Sequence, residues 1–322
     1  MANMITTPIP NRPDGQLSAL ALRADPMEVV RVGFVGLGER GMKAVKRFCK
    51  IGHARVAALC DVSEERRCQG AREAGSQGEQ GVAVFANYED LCQSDDVDLV
   101  YVCTDWASHV PIALCAMHNG KHVAIEVPAA TTLAATRRGR MGTIVHVEGG
   151  YIHPMDDRWT PWRTEANRQL RGDLYPTHGM GPACQLLGIH RSDWITSLVS
   201  MDTEPFLRED FRNGDHTTTL MRTRLGKTIL LQHNVVDPHE YTRRYHVVGT
   251  KQSTESRDST PHDVMSLRMD RRLVHCLHHG LPLDIDVYDL AEWCAVSELS
   301  RLSIDNRNVP VAFPDFTRPK FG

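Results

Sequence analysis

No run of the sequence reaches the roughly eighteen apolar residues that a membrane-crossing helix needs, so no membrane span is expected. The first 27 residues also lack the basic start and apolar stretch of a secretion signal, and the expected address is cytoplasmic. Neither charge sign is in excess. The 37 Lys+Arg and 40 Asp+Glu give a formal net charge of -3, which offers no global pull toward nucleic acid or an anionic membrane. The nine cysteines form no CxxC pair, and several sit among apolar residues, as in Leu59-Cys60 and Val102-Cys103. They read as small buried hydrophobes, with no disulfide framework and no metal site. Internal repeats and low-complexity tracts are absent too. What 322 residues with 41% hydrophobic content do allow is a sizeable core, in one large or two ordinary domains.

Residues 1–27 hold little apolar periodicity and read as a loose, flexible arm. Buried-strand sequence then starts at 29–35, recurs at 55–60, 97–103 and 121–127, and alternates with helical stretches. That alternation predicts a parallel sheet covered on both faces, in a domain spanning 28–142. Beyond residue 143 the texture changes. Stretches 143–151, 217–223, 226–235 and 243–249 read as longer strands rich in Thr and Val, and 263–279 and 287–304 as helices. The fold class predicted is therefore α/β: a Rossmann-like parallel sheet followed by an α+β domain, 143–322, with a large, mostly antiparallel open sheet. The open face suggests, by analogy with that architecture, a homo-oligomer.

The first strand runs into Gly36-Leu37-Gly38-Glu39-Arg40-Gly41, a helix follows, and Asp61 lies 20 residues after Gly41 at the end of the next strand. Gly36 suits a tight turn, Gly38 a close approach to a pyrophosphate, and Gly41 close helix packing. The helix N-terminus offers free amides to phosphates, and Asp61 offers acceptors to ribose hydroxyls, which favours NAD. Arg66, close in sequence, keeps a 2'-phosphorylated cofactor open. Two further strand ends belong to the same carboxyl edge: Thr104-Asp105-Trp106-Ala107-Ser108-His109, and Glu126 with Val127-Pro128. His109 suits the nicotinamide half, against a competing reading of the turn as a helix cap. Glu126 suits a ribose hydroxyl, against a solvated loop acid.

Polar aromatic residues are densest between 148 and 181: Glu148-Gly149-Gly150-Tyr151-Ile152-His153, Trp162-Arg163-Thr164-Glu165, and Gly172-Asp173-Leu174-Tyr175-Pro176-Thr177-His178-Gly179. Tyr and His pair flat apolar bodies with hydrogen-bonding tips, which suits a sugar or another polyol, and Arg163 brings a rigid donor fork. His178 suits the orientation or deprotonation of a hydroxyl. Tyr241, on a loop after His233-Asn234, suits closure over substrate. His233, His239 and the group His275, His278, His279 show no metal-ligand pattern, and Asp284, Asp286 and Asp289 read as helix-start charge and caps.

From about residue 29 to 319 the chain resembles the glucose-fructose oxidoreductase-like (Gfo/Idh/MocA) superfamily, and more narrowly glycoside hydrolase family 109, the NAD-dependent alpha-N-acetylgalactosaminidase group. The blocks that carry this are GLGERG at 36–41, TDW at 104–106, HVAIEVPAA at 122–130, EGGYIH at 148–153, WRTE at 162–165, GDLYPTHGMGP at 172–182, LLQHNVVDPHEYTRRYHVVGTK at 230–251 and HGLPLDIDVYDLAEW at 279–293. The resemblance implies hydrolysis of terminal alpha-N-acetylgalactosaminides by NAD-dependent oxidation at the sugar C3, elimination across C2–C1, addition of water and re-reduction. It maps Tyr151, Arg163, Tyr175, Pro176, Thr177, His178 and Tyr241 to the substrate pocket, with His178, Tyr175 and Tyr241 as the catalytic group. It maps Gly36, Gly38, Glu39, Arg40, Gly41, Asp61, Thr104, Asp105, Trp106, His109, Glu126, Val127 and Tyr175 to NAD.

Two departures stand out. Members carry a further strand, ending in an Asn with a Tyr nearby, between the EVPAA and EGGY blocks, and Thr131 to Gly142 is too short to hold it. The cofactor-contacting Asn and the tyrosine favoured as catalytic base go with it. A second shortening falls between Lys251 and His262. Two alternatives to the glycosidase follow: an NAD-dependent sugar or polyol dehydrogenase, and a catalytically impaired sugar- or nucleotide-binding homologue.

Overall fold

The computed structural model describes residues 4–7, 18–20, 22–125, 142–155, 159–239, 242, 244–257 and 262–317. The chain divides into two compact units, one of Ala21–Val127 with Pro261–Asp284, the other of Met1–Leu20, Pro128–Thr260 and Ile285–Gly322.

In the first unit five parallel strands lie in the order β3-β2-β1-β4-β5: β1 Val30–Val35, β2 Ala54–Cys60, β3 Ala83–Phe85, β4 Leu99–Val102 and β5 His122–Ile125. Both faces of β1 and β4 are buried, which is why they read as unbroken apolar runs. Val32, Phe34, Leu99 and Tyr101 point to one side, where helix α1 (Glu39–Phe48) supplies Ala44, Val45 and Phe48. Val35, Val100 and Val102 point to the other, against α3 (Tyr88–Gln93) and α4 (Trp106–His118). Phe34, Phe48 and Tyr101 pack as an aromatic triangle with ring centroids 5.3–5.4 Å apart. Burying each such side chain stabilises the fold by roughly 1.5–3 kcal/mol. Local caps set the helix starts: Ser63 for α2 (Glu64–Ser76), Asn87 for α3 and Asp105 for α4 each accept a first-turn amide.

Two sequence expectations are corrected here. Helix α7 (His262–His279), expected in the second domain, packs in the first unit. Val274 and Leu277 enter the core of that unit, and a buried charge adds to the contact: Arg47 Nε of α1 donates to Asp270 Oδ2 at 2.7 Å, and the Tyr101 hydroxyl donates to Oδ1 at 3.2 Å. The described parts of the expected loose arm are docked, with the Ile5 amide donating to the Pro310 carbonyl at 3.0 Å and the Met27 amide to Leu277 at 3.2 Å. Among the described residues β5 has a strand neighbour on one side only, and its four residues are half-buried where those of β4 are buried. The link from Thr131 to Met141 itself lies outside the described residues.

In the second unit seven strands lie in the order β11-β10-β6-β9-β8-β7-β12, with β6 Ile144–Ile152, β7 Ile195–Asp202, β8 Thr217–Thr223, β9 Thr228–Asn234, β10 Arg244–Gly249, β11 Ser253–Arg257 and β12 Val311–Ala312. Pairing is antiparallel except between β6 and β9. One face carries α6 (Thr177–Leu187) on β6 and α8 (Val287–Asp305) on β7, over a core that includes Val147, Met180, Leu187, Leu198, Leu231 and Trp293. A capping box between Asp286 and Asp289 starts α8, the role expected for those acids.

Candidate functional site

At the carboxyl edge of the first sheet the glycine segment forms the turn its spacing implies. Gly36 has φ +90°, and a Cβ there would meet the Cys103 carbonyl at 2.8 Å. A Cβ on Gly41 would sit 1.9 Å from the Gly36 oxygen, so α1 presses directly on the turn. Gly38 is the N-cap of α1, makes no side-chain cap, and has nothing within 4 Å of where a Cβ would project. An uncapped helix start beside open space is what a pyrophosphate requires: first-turn amides without helical partners and the positive end of the dipole.

Asp61 ties this loop to β2. Its Oδ2 accepts the Leu37 amide at 2.7 Å and its Oδ1 the Ser63 amide at 2.8 Å, which leaves each oxygen a further lone pair for a ribose hydroxyl. Arg66 lies 3.8 Å from the same carboxylate, with its side chain 55% exposed. At the end of β4 the Asp105 carboxylate caps α4 by accepting from the Ser108 amide and hydroxyl, and His109 Nε2 lies 3.1 Å from the Thr104 carbonyl. Glu39 pairs with Lys43 at 2.9 Å along α1, and Arg40 is exposed on the same turn. Glu126, Val127 and the side chain of Trp106 lie outside the described residues. The donors and glycines present fit a dinucleotide.

In the second unit the Tyr151 ring lies 4.3 Å from His178 and 4.7 Å from Tyr175, and Tyr175 lies 4.6 Å from His178, centroid to centroid. The closeness starts with two glycines. A Cβ on Gly149 would come within 2.9 Å of the Gly179 Cα, so β6 and α6 touch backbone to backbone. The Tyr245 hydroxyl donates to the His178 carbonyl and pins the helix start to β10. Beneath Tyr175, the Asp173 carboxylate accepts the Tyr175 amide at 3.1 Å, while the Asp173 and Gly172 amides donate to Ser300 Oγ and Asn213 Oδ1. Burial pushes the Asp173 carboxyl up to about 7.

Two further rings join this cluster: His153, which the Glu148–His153 block contains without a role of its own, and His233, which sequence reasoning missed. His153, one residue past the end of β6, sits 4.6 Å from Tyr151, and His233 stacks at 6.2 Å because the parallel register sets it opposite Tyr151. Both are buried, and burial, helped by His216 and His153, drives the His233 pKa down to about 3. Nothing local could have flagged His233. Pro176 and Thr177 start α6 and are buried, and Thr177 Oγ1 finds no hydrogen-bond partner among the described residues. Arg163 lies on α5 (Pro161–Gln169) with its guanidinium 4.7 Å over the Trp162 ring. Tyr241 lies outside the described residues. No group of three or more His, Cys, Asp or Glu with metal-site geometry occurs among the described residues. Among them, too, no helix is long and apolar enough to cross a membrane.

Residues 129–259 and 250–322 match the profile of the glycosyl hydrolase 109 C-terminal domain, and residues 30–139 that of the oxidoreductase family with an NAD-binding Rossmann fold. A glycosyl hydrolase family 109 protein of Bacteroides fragilis (strain YCH46) is 39% identical, covering 98% of this chain and 91% of its own length. One from Phocaeicola vulgatus is 37% identical over 98% of this chain and 89% of its own length. The chain belongs to glycosyl hydrolase family 109. Its first unit is the NAD-binding Rossmann domain of the Gfo/Idh/MocA superfamily. Both alignments span 421 positions against the 322 residues here, so these relatives carry segments that this family member does not. Solved structures give the same fold: a putative myo-inositol dehydrogenase from Sinorhizobium meliloti 1021 at TM-score 0.73 and 15% identity, covering 89% of this chain and all of that one. A scyllo-inositol dehydrogenase from Lactobacillus casei, solved with NAD(H) and scyllo-inositol, matches at TM-score 0.69 and 16% identity, over 88% and 99% of the two chains.

Proposed function

We propose that this chain uses NAD to oxidise a ring hydroxyl of a sugar or polyol held by Tyr151, Tyr175 and His178. The observation that carries this is the clustering of those three rings within 4.3–4.7 Å of one another, in a chain whose other unit is a dinucleotide domain. Bound NAD supplies a hydride acceptor. His178 takes the hydroxyl proton as the carbon gives up its hydride, which leaves a carbonyl and balances the step. The tyrosine faces pack on the C–H side of the ring and their hydroxyls meet its polar edge. His233, held neutral by burial, keeps Tyr151 in place without competing for that proton.

Family membership favours a second reading in which the oxidation opens a full hydrolytic cycle on an alpha-N-acetylgalactosaminide. That cycle needs a base for the C2 proton, and the resemblance puts its tyrosine in the segment shortened here. The polyol dehydrogenase reading needs no such base. The L. casei protein, solved with an inositol, is an example of that chemistry on the same fold.

The test is incubation of the full chain with NAD and p-nitrophenyl alpha-N-acetylgalactosaminide in deuterated water, in parallel with free sugars and inositols. Accumulating NADH without nitrophenol release supports the dehydrogenase. Nitrophenol release with deuterium at C2 and no net NADH supports the glycosidase. Neither signal, from folded protein that binds NAD, overturns both readings.

A further inference from the structure

Away from both sites, on the first unit, the end of α1 and the end of α7 enclose a cavity of about 260 Å³ lined by Lys50, Ile51, Gly52, His53, Arg271, Val274, His275, His278 and His279. Four of the chain's sixteen histidines meet here with two permanent cations, and no carboxylate is in the lining. His53 and His278 stack with centroids 3.8 Å apart, and His279 sits 4.5 Å from His275 and 4.6 Å from His278. The helical repeat puts His275 and His279 on one face, and the tight turn that gives His53 its φ of 62° brings the fourth ring across to them. Sequence spacing showed only the three on α7.

We infer that this pocket binds a small anion of the phosphate class and takes up a proton with it. The ring nitrogens set the direction of the chemistry. Nδ1 of His278 lies 2.6 Å from the Met27 carbonyl and Nδ1 of His53 3.3 Å from that of Glu28, so Nδ1 donates on both rings. Their Nε2 atoms are then bare acceptors in the neutral form and become donors only on protonation. Two helix C-termini converge on the pocket, and their negative ends oppose an anion, so binding depends on the positive charge that Lys50, Arg271 and the protonated rings bring against them. Crowding works against protonation: burial and the neighbouring His275, His278 and His53 lower the His279 pKa. An anion removes that mutual repulsion, so binding and protonation support each other.

The surrounding charges leave the pocket positive. On the segment beside α7, Asp25 and Glu28 are exposed and not part of the lining, and Asp284 is held by Arg272 at 2.8 Å. On α1, Lys46 pairs with Glu73 at 3.2 Å and Arg47 with Asp270, which leaves Lys50 and Arg271 facing the cavity without an ion-pair partner among the described residues. Drug-sized ligands take about 300–1,000 Å³, so this volume suits a phosphate or a small phosphorylated molecule. The same geometry argues against a metal, since no three side chains here meet metal-site criteria.

The test is a titration of the full chain with inorganic phosphate and, separately, glucose 6-phosphate, at pH 6 and pH 8, with NAD saturating so that the glycine loop is filled. Imidazole 1H–15N spectra and calorimetry in two buffers report ring contact and proton uptake. The expected result is affinity about tenfold higher at pH 6, proton uptake on binding, and loss of both in the exposed double variant His275→Gln/His279→Gln and in Arg271→Ala, with melting unchanged. Tighter binding of glucose 6-phosphate assigns a phosphorylated metabolite, and tighter inorganic phosphate the free anion. Affinity equal at both pH values, full binding by the double variant, or ring shifts with zinc but not with phosphate would each overturn the inference.

Discussion

Gly149 of β6 and Gly179 of α6 touch so closely that a Cβ on the first would stand 2.9 Å from the Cα of the second. That contact sets the depth at which His178 meets Tyr151. Because the obstacles are the Gly179 backbone and the Tyr245 ring, itself hydrogen-bonded to His178, Gly149→Ala meets nothing that yields freely, and α6 must retreat. Overpacking of this kind costs about 1–3 kcal/mol. A lower denaturation midpoint, with turnover falling further than stability alone explains, is the expected outcome; a variant matching the parent in both would remove the glycine contact from the account of the site.

His178→Gln keeps a polar group of similar reach and removes the proposed base. Turnover on whichever sugar or polyol the NADH assay identifies should fall by roughly 10²–10⁴, while NAD affinity, measured by fluorescence titration, stays unchanged. Loss of NAD binding instead would assign His178 a structural task.

What the sequence made legible depended on how each element earns its stability. Strands β1, β2 and β4 were plain because burial on both faces demands unbroken apolar runs such as Val30–Val35. The glycine loop was plain because Gly36 and Gly41 are steric necessities. Strand β11, Ser253–Arg257, has no apolar residue and exists through its pairing with β10, so no pattern announced it. The Tyr151–Tyr175–His178 cluster could be expected from local density. The place of His233 beside Tyr151 comes from a parallel register between β6 and β9, which residue types along either strand do not encode.

Long-range charge was equally hidden. The Arg47–Asp270 pair joins the apolar contacts of Val274 and Leu277 in holding α7 to the first unit, and Asp270 is fully buried. Asp270→Ala removes the bonds that Arg47 Nε and the Tyr101 hydroxyl make to this carboxylate, and breaking a buried pair this way costs about 3–5 kcal/mol. Hydrogen exchange should show α7 losing protection first. Exchange that accelerates evenly over both units would contradict a local role.

Asp61→Asn is nearly isosteric but replaces one acceptor with an NH2 group, so either the Leu37 or the Ser63 amide must face a donor. Losing one hydrogen bond to a charged group, worth about 1.5–3 kcal/mol, loosens the glycine loop and weakens the proposed ribose site. The dissociation constant for NAD should rise on the order of tenfold or more. An unchanged constant would mean that the loop holds its shape without Asp61.

Two buried groups of the second unit pull the pH dependence of stability in opposite directions. Burial raises Asp173 from 3.8 to about 7, so the folded state holds a proton that the unfolded state releases, and its contribution is full below 3.8 and lost as pH rises toward 7. His233, lowered from 6.5 to about 3, stays neutral in the fold while the unfolded chain protonates, so its contribution is full above 6.5 and lost as pH falls toward 3. Between pH 4 and 6.5 the two slopes, each approaching about 1.4 kcal/mol per pH unit, offset one another. Asp173→Asn removes the first and should make the protein lose stability steeply on acidification across that window, whereas His233→Gln should make it gain. Denaturant midpoints measured at half-unit steps decide the matter: parallel profiles for the two variants would show that neither buried group titrates with folding.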